Sequence, residues 1–352
     1  FVAALPHGAY FGIASLVAFL NQQYSIRERL KREQMKKMEK HIVHCDLDSF
    51  FVSVERLLNS QLIGKPVLIG GKSDRAVVAS CSYEARRYGI HSAMPMKLAL
   101  RLCPDAIVVQ GDHDLYSQYS NIVTEIIQES VPLYEKASID EHYFDLTGMD
   151  RFFGCWKWTK ELRQRIINET GLPISFGLSA SKIATGQAIS CGELKVDTGT
   201  EKEFLAPLSI RKIPMVGEKT YTQLRNMGIS KCETLQQMEI FTLRRVLGEN
   251  GISIWKKANG IDDTPIIAYQ EQKSMSKETT FQEDTIDMQK LKKTLAKMVN
   301  ELAFDLRKDQ KLTGCITLKI RYSNFDTHTK QIRVPYTNSD RMIGEKINEL
   351  FG

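Results

Sequence analysis

The stretch HIVHCDLDSFFVSVERLL, residues 41–58, decides how the rest of the chain is read. His41 to Cys45 is a short run rich in Ile and Val, the mark of a buried strand. Asp46 and Asp48 stand at its end. From Ser49 to Leu58 the apolar residues fall at helical spacing, so a strand passes directly into a helix with acids at the junction.

The alternation continues outward. GKPVLIGG (64–71) and RAVVASCSYEARRYG (75–89) predict a strand, a glycine break, a second strand and a turn into a helix. MKLALRL (96–102) predicts a helix that stops near Pro104, and residues 116–130 predict another. YEKASIDEHYFDLTG (134–148) reads as strand, turn, strand, with Asp140 and Glu141 at the turn. A helix is expected over 152–170 and a strand in LPISFGLSA (172–180). Alternating strands and helices over the first 200 residues give an α+β (mixed α/β) domain. After Gly199 the pattern changes. Residues 201–263 are short helices with glycine hinges, 268–278 is a polar linker, and 279–352 reads strand, helix, strand, strand, helix. In that last part ITLKIRYSNF (316–325) and KQIRVPY (330–336) form a hairpin pair.

A length of 352 residues suits two or more domains. The net charge of +6 permits a polyanionic partner without demanding one. Residues 273–333 carry 13 Lys or Arg against 8 Asp or Glu, so most of the excess sits there. Seven scattered cysteines with no CxxC pair argue against a disulfide framework or a zinc module and fit a reducing compartment. Phe1 to Leu20 has no charged residue, but Pro6, His7, Gly8 and Gly12 interrupt it. Residues 1–38 are therefore expected to be an extension rather than a membrane span, with the functional protein starting near Met35 or Met38.

Two features carry chemistry. Asp46 and the Asp140–Glu141 pair lie at strand ends far apart in sequence, and adjacent antiparallel strands would unite them. Such a cluster suits two divalent cations about 3.5–4 Å apart. Acids at strand ends are also common as caps and solvated surface. The second feature is SCSYEAR (80–86), where Tyr83 and Arg86, three apart at a helix start, project from one face and can grip phosphates. The bland alternative is a surface Arg beside a half-buried Tyr. In SIRKIPMVGEKTYTQLRNMGI (209–229), flanking amphipathic helices and a hairpin at 213–217 suggest a helix-hairpin-helix. Pro214, Val216, Gly217 and Lys219 would there meet a DNA phosphate without reading sequence. LGENGISIWKKANGID (247–262) is a weaker second copy, and a glycine cap between packed helices is the alternative for both.

Together CDLDSFFVSVE (45–55), SYEARRYGI (82–90), ASIDEHYFDLTG (137–148) and LPISFGLSASK (172–182) resemble the successive motifs of Y-family DNA polymerases, nearest the DinB or DNA polymerase IV branch. The resemblance runs from about His41 to the end. It implies a right-hand architecture: palm at 39–48 and 112–200, fingers at 49–111, a helix-hairpin-helix thumb at 201–267, the linker, and a little finger at 279–352. It also implies low-fidelity translesion synthesis with two Mg²⁺ ions, replaceable by Mn²⁺. Asp46, Asp140, Glu141 and the Leu47 carbonyl would be the ligands, with Asp48 structural. Ser80, Tyr83 and Arg86 would hold the triphosphate, with Phe50 and Lys182 as further nucleotide contacts. Phe51 falls at the steric gate, where a ring under the sugar excludes a 2′-hydroxyl; Phe50 and Phe51 could instead both be core. The implied partners are primer–template DNA, dNTPs and a sliding clamp, for a cytoplasmic, nucleoid-associated monomer with no membrane partner.

The chain departs from the family pattern in four places. SKIATGQAISCG (181–192) is about one helical turn short, so Lys182 matches the first or the second family lysine but not both, and only the first reaches the triphosphate. Ile189 to Gly192 replaces a basic turn. His142 follows the acidic pair where an apolar residue is usual; as a strand neighbour it should face away from Glu141. The chain ends at Gly352, before the last strand and the clamp-binding peptide expected of this family. A metal-dependent helix-hairpin-helix nuclease, and a DNA-binding paralogue disabled at SKIATG, are the competing readings.

Overall fold

The computed structural model describes residues 39–149, 154–186 and 192–352. The expected extension at 1–38, the start of the helix expected from 152, and Ile189, Ser190 and Cys191 lie outside them. In chain order the elements are β1 (Ile42–Leu47), α1 (Phe50–Leu58), β2 (Val67–Ile69), β3 (Ser80–Cys81), α2 (Tyr83–Arg86), α3 (Met96–Leu102) and β4 (Ile107–Val109). There follow α4 (His113–Ser130), β5 (Tyr134–Lys136), β6 (Glu141–Asp145), α5 (Cys155–Thr170), β7 (Ile174–Ser179), α6 (Lys182–Thr185) and β8 (Glu193–Lys195). The helical stretch holds α7 (Glu201–Leu205), α8 (Glu218–Asn226), α9 (Cys232–Gln236), α10 (Ile240–Leu247) and α11 (Glu249–Ala258). The chain closes with α12 (Met288–Lys308), β9 (Thr313–Arg321), β10 (Thr327–Thr337) and α13 (Asp340–Phe351).

These elements form two units. One comprises the described residues of Phe1–Gly64 with Gly111–Tyr269, and the other Lys65–Gln110 with Gln270–Gly352. The first is built on a five-stranded sheet of order β5-β6-β1-β7-β8. β1 is central and antiparallel to both neighbours, with Asp46 opposite Glu141 on β6 and opposite Ser175 on β7. Val43, Cys45 and Leu47 face one side with Phe144, Phe176 and Leu178, and all are buried. Burying Val43 and Leu47 contributes about 1.5–3 kcal/mol each. A one-residue slip would exchange them for His44 and Asp46, so the apolar side fixes the register. The opposite side therefore carries His44, Asp46, Glu141 and Tyr143.

The helical stretch of the first unit packs around Ile210, Ile213, Leu224, Leu235, Leu243 and Ile254. The helix expected before the hairpin is only a 3-10 turn, Ile210–Lys212, because Pro214 ends it after one turn. The second unit has a three-stranded sheet of order β3-β2-β4 and a β9-β10 hairpin. α12 and α13 cover the hairpin's inner face through Ile316, Leu318, Val299 and Ile347. The strand expected from 279 is absent: residues 279–287 form no regular element. There the Phe281 carbonyl and the Asp284 carboxylate accept from the Arg75 guanidinium at 3.2 and 2.7 Å, so the segment is bound by a side chain instead of a ladder. The described cysteines are all free, and all but Cys315 are buried. Among the described residues no helix is long and apolar enough to cross a membrane.

His142 is fully buried on the apolar side of the sheet. The Thr124 hydroxyl donates to the Ser120 carbonyl at 2.7 Å and lies 2.9 Å from His142 Nε2, so that nitrogen carries the ring proton. Burial, with Lys136 and His44 adding to it, lowers the His142 pKa from 6.5 to about 3. Between those values the unfolded chain binds a proton that the folded chain refuses. The contribution is therefore complete above 6.5 and is lost as the pH falls towards about 3. Urea unfolding from pH 7 to 4 should show stability falling by up to about 1.4 kcal/mol per pH unit from this residue. His142→Asn should show a shallower slope, and identical slopes would contradict the assignment.

Candidate active site

Asp46 reaches the polar side of the sheet because it is the last even-numbered residue of β1, and Glu141 faces it as the first residue of β6. Direct partners in an antiparallel pair have Cα atoms about 4.5–5.5 Å apart. The loop between β5 and β6 closes onto the same point, since the Leu47 amide donates to the Asp140 carbonyl at 3.1 Å. Asp140 thus lies against the end of β1, and its carboxylate accepts from the Ser138 hydroxyl at 2.5 Å. The Ser138 hydroxyl oxygen also accepts from the Glu141 amide at 3.0 Å, so one short side chain orders the turn.

His44 Nε2 lies 3.7 Å from Glu141 Oε1, longer than a hydrogen bond but close enough for charge to be felt. The neighbouring His44 ring holds the Glu141 carboxyl below the ordinary carboxylate range, against a smaller opposing effect of burial. Asp48 is buried, and its carboxylate accepts from the Ser175 hydroxyl at 2.8 Å, which makes it part of the support for β7.

The donor set Asp46, Asp140 and Glu141 is made of hard oxygens, the type that Mg²⁺, Ca²⁺ and Mn²⁺ prefer. Among the described residues no three acid, His or Cys side chains already converge on a metal position. Asp140 is turned onto Ser138, and Glu141 lies towards His44. Because Mg²⁺ takes only one or two protein carboxylates and completes its shell with water and substrate oxygens, the residues fit such an ion.

The two phenylalanines of α1 diverge. Phe50 is 2% exposed and belongs to the core, whereas Phe51 is only partly buried. The Phe51 ring stacks on Tyr116 of α4, with centroids 4.2 Å apart and planes 12° from parallel, and His113 meets it edge-on at 5.6 Å. Tyr116 is itself fixed by its hydroxyl, which donates to Glu55 Oε1 at 2.7 Å. Nothing in the spacing of the sequence signalled this stack. Its one local sign is Asp112, which caps α4 by accepting from the Asp114 and Leu115 amides and starts the helix three residues earlier than expected.

Lys182 opens the one-turn α6. Its Nζ is 2.8 Å from Glu135 Oε2, 2.9 Å from the Pro265 carbonyl and 5.0 Å from the centre of the Tyr143 ring. At the hairpin, Ile213 is buried while Pro214, Gly217 and Lys219 are exposed and Val216 is half-buried. Met215 holds φ 80, a left-handed conformation, and a Cβ built on Gly217 would meet nothing within 4 Å. Arg211 braces the turn: it stacks on Tyr221 at 3.7 Å and binds Glu218 with both terminal nitrogens at 2.8 and 3.0 Å.

In the second unit Ser80 ends the short β2–β3 pairing, and α2 follows. Tyr83 and Arg86 lie together, the guanidinium 4.7 Å from the ring centre, as their spacing predicts. α2 is a single turn, and the capping Ser82 hydroxyl already accepts from the Ala85 amide, so little helix dipole is left for an anion. The solvent side of the β9–β10 hairpin aligns Arg333 with Cys315, Thr329 with Lys319 and Thr327 with Arg321, a basic surface.

The sequence model of the impB/mucB/samB family matches residues 45–188, and that of its C-terminal domain matches residues 272–352. The sequence model of the DNA polymerase-iota thumb domain matches residues 211–262. A DNA polymerase IV of Dehalococcoides mccartyi strain BAV1 is 39% identical over 298 residues, covering 83% of this chain and 76% of its own. A DNA polymerase IV of Methanoculleus marisnigri is 35% identical over 307 residues, covering 85% of each. Among solved structures, a Y-family DNA polymerase chimera aligns with a TM-score of 0.79 at 24% identity, over 88% of this chain and 92% of that one. DinB from Sulfolobus solfataricus aligns with a TM-score of 0.63 at 24% identity, over 88% of this chain and 93% of its own. At this identity the two structures speak to fold alone.

The Tyr116 arrangement has a measurable energetic signature. Tyr116→Phe keeps the stacked ring and removes the hydroxyl on Glu55, and urea unfolding should register a loss of about 2 kcal/mol. Tyr116→Ala removes the stack too and should cost roughly 3–5 kcal/mol. A Phe variant as stable as wild type would show that the hydroxyl contact is not held.

Proposed function

The chain belongs to the Y-family DNA polymerases, within the impB/mucB/samB family and its DNA polymerase IV branch, and on that premise we propose which of its residues carry the reaction. It is a DNA-directed DNA polymerase of the translesion class, dependent on divalent metal, with DNA and nucleotides as substrates. The nuclease and disabled-paralogue readings are not favoured.

The observation that supports the assignment best is the pairing of Asp46 with Glu141 in the β1–β6 register, with Asp140 bonded to the end of β1. Asp46, Asp140, Glu141 and the Leu47 carbonyl are the proposed ligands of two Mg²⁺ ions, with Mn²⁺ a substitute. When bound, the ions would supply positive charge where negative charge develops in phosphoryl transfer, at the attacking oxygen and the leaving group. The chain's own residues position and neutralise. The adjacent His44 ring holds the Glu141 pKa below the ordinary carboxylate range, against a smaller opposing effect of burial. The hydroxyl of Ser138 orders the turn that presents both acids. Ser80, Tyr83 and Arg86 are assigned to the triphosphate, Arg86 by its planar fork of donors.

Phe51 is assigned as the sugar gate. Its ring is braced by Tyr116, so an incoming ribose with a 2′-hydroxyl cannot push it aside cheaply. Phe50 is enclosed in the core and can serve the nucleotide only through its backbone. The hairpin at 213–217, with Lys219, is assigned to a DNA phosphate, and the basic β9–β10 surface to the duplex backbone, with affinity that falls as salt rises. The reaction is attack of the primer 3′-hydroxyl on the α-phosphate of a dNTP, with loss of pyrophosphate. Positioning and charge neutralisation supply most of what this chemistry needs. The protein acts as a monomer in the cytoplasm with the nucleoid, and a sliding clamp is a further candidate partner.

Primer extension on undamaged and damaged templates should require Mg²⁺ and stop with chelator. Degradation of DNA without dNTPs would instead support the nuclease. Asp140→Ala should lower extension by on the order of a thousandfold, about 4 kcal/mol in the barrier, with duplex binding nearly intact; retained extension would refute the ligand assignment. Phe51→Ala should admit ribonucleotides, and unchanged sugar selectivity would remove the gate.

A further inference from the structure

Beside the carboxylates lies an ion pair for which nucleotide chemistry has no evident use. Glu135 on β5 is the register partner of Tyr143 on β6, which in turn faces His44 on β1. Glu135 therefore stands on the polar side of the sheet. Lys182 reaches down onto it from α6, and the two side chains are only 18% and 12% exposed. Charges withdrawn this far from water persist only where further hydrogen bonds complete their shells.

Those bonds come from a distant piece of chain. The Pro265 carbonyl accepts from Lys182 Nζ at 2.9 Å, and the Ile267 amide donates to Glu135 Oε2 at 2.8 Å. Residues 265–267 follow the last helix of the first unit, have no regular secondary structure, and lead by chain continuity into the second unit. Both ends of the ion pair thus grip the same three-residue segment, one through its carbonyl and the other through its amide.

We propose that Lys182 and Glu135 form a buckle that pins the 265–267 strap to the catalytic sheet, so that Lys182 is a positioning residue for the tether rather than a ligand of the triphosphate. For Lys182 to reach a phosphate it would have to leave Glu135 buried and unpaired and release the Pro265 carbonyl. Loss of one partner from a buried pair is strongly destabilising. The shortened SKIATG segment is consistent with this: the lysine it retains is already engaged.

The effect on function comes through the slack of the connection after 267, and only that part rests on the polymerase reading. With the buckle closed, residues 265–267 are held to the sheet. With it open, the chain is released beyond Ile261, the last residue whose amide bonds back to α11. The second unit is also joined to the first at 64–65 and 110–111, so opening the buckle slackens one of three connections.

The test compares Glu135→Gln, Lys182→Gln and the double variant in the full chain. Hydrogen exchange at Ile267 should quicken by about tenfold or more in each single variant, and the double should add little. Lys182→Arg, which keeps the charge pair, should stay protected. Nucleotides added per DNA encounter should change by the same factor in both singles, with the KM for dNTP within about twofold of wild type. The proposal is overturned if Ile267 protection is unchanged in both singles. It is also overturned if Lys182→Gln raises the dNTP KM tenfold while Glu135→Gln leaves it alone. Exchange needs no catalysis, so a wild-type chain that fails to extend primers would sink the polymerase reading and leave the buckle separately measurable.

Discussion

The antiparallel register of β1 with β6 is the constraint on which everything else in the first unit depends. It is set by the side of the sheet that does no chemistry: Val43, Cys45, Leu47 and Phe144 must all be buried, and only one alignment buries them. That alignment leaves Asp46 facing Glu141. Apolar packing thereby places two acids, 95 positions apart in sequence, opposite each other without any attraction between them. Like charges opposite each other destabilise a strand pair, so the hydrophobic side must outweigh the repulsion.

The same division by side accounts for the two histidines. His44 lies on the polar side, where it lowers the pKa of Glu141. His142 lies on the apolar side, neutral and bonded to Thr124. Period-two alternation was enough to expect His142 to face away from the acids. Its partner could not be read, because Thr124 belongs to a helix 18 positions earlier and leaves no local mark.

Legibility followed the range of the forces involved. α3 was readable to the residue because Pro95 and Pro104 bracket it and its interior is all helix-forming. β9 and β10 were readable from their alternation. The start of α4 was missed because the Asp112 cap was not weighed, although Asp is a strong signal there. The strand expected from 279 failed for another reason: Arg75, some two hundred residues earlier, binds that segment through a carbonyl that a strand would have used. The Phe51–Tyr116–Glu55 stack and the Lys182–Glu135–strap contact were out of reach for the same reason, since each joins elements that share no periodic pattern.

Ser49 joins β1 to α1 in a left-handed conformation, φ 45 and ψ 47, which side-chain-bearing residues adopt rarely. Its cost is that of one strained residue; its result is a junction with no slack. Asp46 is the penultimate residue of a buried strand, and Phe51 is the second residue of the helix, five positions later. Movement of one is transmitted to the other through bonds rather than through packing. On the proposed assignment of Phe51 as the sugar gate, a lineage of this chain drifting towards a looser gate could not do so by shifting α1 alone, because the Asp46 carboxylate would be carried along. Changes in the size of the side chain at 51 remain open to it, while changes in where that side chain stands are closed.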